Sequence, residues 1–90
     1  MWGITVAKFR AVAQDTLAKV RAGHQSGATA RVKDLETAWD DDQATLQPLD
    51  DTAWTVLDGR IDSVLTALRA NNPDPATETQ TLTALLTALM

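Results

Sequence analysis

Ninety residues give one domain's worth of chain and one hydrophobic core. Apolar residues make up 44% and charged residues 22%, too hydrophobic for a disordered chain. With no cysteine, disulfides, thiolate metal sites and cysteine nucleophiles are excluded together.

The charge is uneven. Residues 1–33 carry six basic side chains against Asp15 alone, a net +5, whereas 34–90 carry Arg60 and Arg69 against eleven carboxylates, a net −9. That split is what a basic first helix lying against acidic neighbours produces. No stretch approaches the ~20 apolar residues of a membrane span. Lys8, Arg10, Gln14, Asp15 and Lys19 interrupt the first twenty residues, so no secretory h-region is expected there.

Four segments repeat the helical period, and the spacing predicts helices near residues 3–22, 27–46, 51–70 and 75–89. In the first, Trp2, Val6, Phe9, Ala13, Leu17 and Val20 form the apolar stripe, with lysines and arginines on its flanks. Gly23 then offers a left-handed C′ residue. Ser26 is the expected N-cap of the second helix, whose stripe is Ala28, Val32, Leu35, Trp39 and Leu46. Pro48 ends it.

Asp50 is placed to cap the third helix, with Leu49 and Trp54 at the spacing of a hydrophobic staple. Trp54, Leu57, Ile61, Val64, Leu65 and Leu68 continue that face. After Asn71-Asn72-Pro73, Asp74 caps a fourth helix with Pro75 at N1 and a stripe of Leu82, Leu85, Leu86 and Leu89. Five threonines make this last helix intrinsically weak and dependent on docking. Short connections make successive helices antiparallel neighbours. The fold expected is all-α, a single up-down-up-down four-helix bundle over 1–90.

Chemistry is harder to find. His24, the single histidine, falls in a loop, and neither a haem ligand on a helix nor a Glu-x-x-His di-iron motif is present. Asp40-Asp41-Asp42 is densely acidic, but consecutive helical residues point about 100° apart and do not converge on one ion. Asp58 and Asp62 read as an exposed, solubilising pair. Ser26 and Ser63 have no base placed by any motif, and the four glycines form no phosphate loop. No enzyme, metal or cofactor is expected, nor a nucleic-acid module.

Three positions stand out as candidates for a ligand or interaction site. Asp42 falls on the flank of the second stripe and needs a partner there, for which Arg10, Lys19 and Arg60 are candidates. Trp39 and Trp54 sit near the second turn, where they serve either as core or as the lining of a pocket at that end. Val56 and Ala67, with Arg60 between them, suggest a weaker second apolar strip for a homodimer.

From Ala22 to Leu68 the loop around Gly23, the Leu35-Glu36-x-x-Trp39 turn and the Trp54-x-x-Leu57-Asp58-x-x-Ile61-Asp62 register carry a resemblance. This stretch resembles the soluble helical part of small, uncharacterised bacterial proteins that are exported or membrane-anchored. The resemblance implies an envelope location if an anchor or signal has been removed, and a cytoplasmic one otherwise; it implies no reaction and no catalytic residue. The function expected is a non-enzymatic helical binding or protein-interaction domain. The alternative is an envelope sensory or small-ligand-binding bundle with a pocket near Trp39, Trp54 and Asp42.

Overall fold

The computed structural model describes the backbone of residues 3–89 and the side chains of 6–89. Four helices follow in order: α1 (Gly3–Arg21), α2 (Gln25–Leu46), α3 (Asp51–Leu68) and α4 (Pro75–Ala88). The described residues include no strand. Each helix packs against its two neighbours in the cycle α1–α2–α3–α4, the arrangement of an up-down-up-down bundle. No helix among the described residues is long and apolar enough to cross a membrane.

The first turn shows how a single glycine redirects the chain. Gly23 has φ +78°, a left-handed conformation that costs a residue with a Cβ far more. The His24 N–H then bonds the Lys19 carbonyl at 2.9 Å and the Gly23 N–H bonds Val20 at 3.1 Å, which is a Schellman closure. It delivers the chain straight into α2. The helix therefore begins two residues before the expected start, with His24 in the N-cap place making no side-chain cap bond. Ser26 lies inside the first turn and does not cap.

The second junction is half as expected. Asp50 accepts a hydrogen bond from the Ala53 N–H at 3.0 Å, closing the α3 N-terminus. The staple does not form: Leu49 is 58% exposed, because Trp54 turns inward to stack on Trp39. At α4, Asp74 accepts from the Ala76 N–H and the Thr77 hydroxyl, ahead of Pro75. The expected ends of α1, α3 and α4 each run one or two residues too far, within ordinary fraying.

The stripes close into one core. Phe9, Ala13, Leu17 and Val20 of α1 are buried, joined by Val12, and Val6 packs at the edge. Trp2 lies outside the described residues. All five residues of the α2 stripe are buried, as are Trp54, Leu57, Ile61, Val64 and Leu68 of α3 and Leu82, Leu85 and Leu89 of α4. Leu65 and Leu86 are partly buried against them. Ala67 is buried too, while Val56 is 49% exposed, so the two do not make a shared surface strip.

Two polar residues enter this core. The Thr16 hydroxyl is satisfied by the Val12 carbonyl one turn back. Glu78 is fully buried, and its Oε2 accepts from Gln25 Nε2 at 2.7 Å. Gln25 also donates to Thr29, which donates to the Leu68 carbonyl, so this chain of bonds ties the start of α2 to α4 and to the end of α3.

Candidate functional site

The C-terminal half of α2 meets the first turn of α3 through aromatic rings. Trp39 and Trp54 stack with centroids 3.9 Å apart and planes within 6°, and Phe9 of α1 meets Trp39 edge-on at 5.2 Å. Trp39 is 2% exposed, and its Nε1–H donates to Asp58 Oδ1 at 2.9 Å. Burying an indole N–H without an acceptor is costly, so this bond draws Asp58 to the α2–α3 boundary.

Beside the stack the two helices stand apart. Of the neighbouring helix pairs, α2 and α3 touch least. Between them lies a groove of about 140 Å³ lined by Glu36, Trp39, Asp40, Asp58, Ile61, Asp62 and Leu65. Trp39, Ile61 and Leu65 contribute to its lining, but most of the surface it exposes is polar, with carboxylates on both helices. Glu36 and Asp40 sit four residues apart on α2, and Asp58 and Asp62 four apart on α3. Each pair therefore rises about 6 Å along its helix.

Charge inside the groove is only partly answered. Arg69, just past the end of α3, forks onto Glu36 through two bonds of 3.0 and 2.8 Å. The hydrogen bonds from Arg69 hold the Glu36 carboxyl below its ordinary value, with the charge of Arg69 and of Lys33 acting the same way against partial desolvation. The same bonds raise the Arg69 guanidinium. Among the described residues Asp40 and Asp62 form no ion pair.

The three residues singled out from sequence separate. Trp39 lines the groove. Trp54 supports it from beneath as the other half of the stack. Asp42 faces the opposite side of α2, where Lys8 binds it at 2.7 Å; its partner is thus none of Arg10, Lys19 and Arg60. Arg10 instead donates to the Leu89 carbonyl at the end of α4, and Lys19 pairs with Asp15. Arg60 is exposed.

The chain matches no family model, no curated protein and no solved structure. Its chemistry therefore stands on its own side chains. Among the described residues no three histidine, aspartate or glutamate groups are placed to hold a metal ion. His24 is exposed in the first turn. Asp40, Asp41 and Asp42 diverge as helical geometry requires: Asp40 to the groove, Asp42 to Lys8, and Asp41 to solvent.

Sequence reasoning missed two features. Asp58 and Asp62 are exposed, as expected, yet they also face the carboxylates of another helix, which no single-helix pattern reveals. Glu78 was readable in principle. It lies four residues before Leu82, on the same face as the leucine stripe, and only its charge kept it out of the core list.

Proposed function

We propose that this chain is a non-enzymatic interaction domain whose α2–α3 groove receives a basic segment of a partner protein. The observation that carries this reading is the groove itself, a mostly polar hollow lined by a pair of carboxylates from each of two helices. Like charges on both walls favour a cation between them. A hollow of about 140 Å³ suits a single lysine or arginine side chain. Small-molecule pockets are usually larger, roughly 300–1,000 Å³. The rest of a partner would lie along the exposed acidic walls.

Calorimetric titration with a short oligoarginine peptide at about 0.15 M salt tests this. Saturable binding is expected, weakened several-fold by Asp40→Asn with Asp62→Asn. Asp41→Asn removes an exposed charge outside the groove and is expected to have little effect. Equal weakening by Asp41→Asn, or no binding at all, would sink the reading.

A further inference from the structure

We infer that Arg69 is a built-in competitor for this groove: its ion pair with Glu36 occupies one wall and holds back a basic partner. The inference rests on the interaction reading above.

The geometry argues for it in three steps. Glu36 is a lining residue, and both of its carboxylate oxygens are engaged by the Arg69 fork at 2.8 and 3.0 Å. A bidentate guanidinium–carboxylate pair is the contact an arginine of a partner would make at the same place. A partner arginine that takes this same bidentate position on Glu36 must therefore displace Arg69. The pair is also able to open: the Arg69 and Glu36 side chains are 43% and 35% exposed. Arg69 caps α3 with φ −99° and ψ 5°, outside the regular helix, and its backbone N–H still closes onto Leu65. Releasing the guanidinium leaves that last turn intact.

Competition of this kind sets a threshold. A single stray cation gains little by displacing Arg69. A segment with several basic residues engages Asp40, Asp58 and Asp62 first, then takes over Glu36. The contact thus favours a partner rich in basic residues over an isolated lysine or arginine.

Arg69→Gln frees Glu36 but also makes the chain more acidic, so the test needs a charge-matched control. Arg60→Gln provides one, because Arg60 is exposed on α3 and lines no part of the groove. With the same oligoarginine peptide, Arg69→Gln should bind roughly two- to fivefold more tightly than Arg60→Gln, the span expected from releasing one exposed ion pair. In a Glu36→Gln background the gain should vanish, as a double-mutant cycle requires of a contact acting through Glu36. If the wild-type chain binds through Asp40 and Asp62 but Arg69→Gln gains no more than Arg60→Gln, the competition falls and the interaction reading stands. If a gain persists without Glu36, the competition also falls. No groove-dependent binding in any variant overturns both.

Discussion

Helix α2 lies between two seams built on opposite principles. On the α1 side, charges alternate in sign: Lys19 binds Asp15, Asp15 binds Arg31, and Arg31 binds Asp34. Two of the six basic side chains of the first third, Lys19 and Arg31, are paired there, and the helices close tightly beneath the network. On the α3 side, carboxylates face carboxylates beside an aromatic stack, one indole hydrogen bond, the fork from Arg69 and the Thr29 bond to the Leu68 carbonyl. The side chains at a contact, by their size as well as their charge, decide how near two helices can stand. The same helix is thus sealed on one side and grooved on the other.

The substitution that should damage both seams most is Trp39→Ala. It removes the stack with Trp54, the edge contact with Phe9 and the acceptor role of Asp58 in one step. Truncations of large buried aromatics cost about 3–5 kcal/mol. A small domain has only about 5–15 kcal/mol in total. Urea unfolding followed by far-UV circular dichroism should therefore show a midpoint lowered by a large fraction of the wild-type value. A loss under about 1 kcal/mol would mean that Trp39 is not the shared keystone of the two seams.

Gly59→Ala acts in the opposite direction and on one seam only. Gly59 is exposed in the middle of α3, has an ordinary helical φ, and a Cβ there meets nothing within 4 Å. Alanine should stabilise the chain by about 1 kcal/mol through helix propensity, read as a higher urea midpoint. If the stiffer α3 also weakens oligoarginine binding, the groove needs this helix to yield.

The smallest effect separates the seams by acidity. Asp15 and Glu36 are both held below their ordinary values, Asp15 chiefly by the hydrogen bond from Lys19 and Glu36 chiefly by those from Arg69. A lowered folded value means the unfolded chain takes up protons first as the pH falls. Both pairs therefore contribute fully above the unfolded values, near 3.8 for Asp15 and 4.5 for Glu36, and lose that contribution as the pH drops through the folded ones. Thermal midpoints should fall at the acid end of the scale. Asp15→Asn should flatten the part of the curve belonging to the tight seam, and Glu36→Gln the part belonging to the grooved one. These pairs are exposed to solvent, so the changes should be modest and shrink with salt.

The apolar stripes could be read from sequence because burial along a helix repeats every three to four residues, and Val32, Leu35 and Trp39 simply keep that step. The caps at Asp50 and Asp74 were legible because capping is chemistry within one turn. Ser26 misled because its capping strength was judged locally, whereas the helix start was decided upstream by the Gly23 closure. Leu49 misled because the staple competed with a long-range contact, the stack of Trp54 on Trp39. The groove was beyond reach for a related reason. Glu36 and Asp40 each look like ordinary solvated positions on one helix, as do Asp58 and Asp62 on another. Only the register of α2 against α3 sets the four face to face, and the bond from Trp39 to Asp58 joins residues nineteen apart in the chain.

The parallel indoles of Trp39 and Trp54 have an optical consequence as well. Chromophores stacked at 3.9 Å exchange excitation far faster than they emit, so the two rings absorb and fluoresce as one coupled unit. That unit straddles α2 and α3. Any event that pries the two helices apart, or seats a cation against Asp58, changes its colour and brightness. The molecule thus carries its own gauge of helix spacing, with no attached dye, at the place where its two seams differ most.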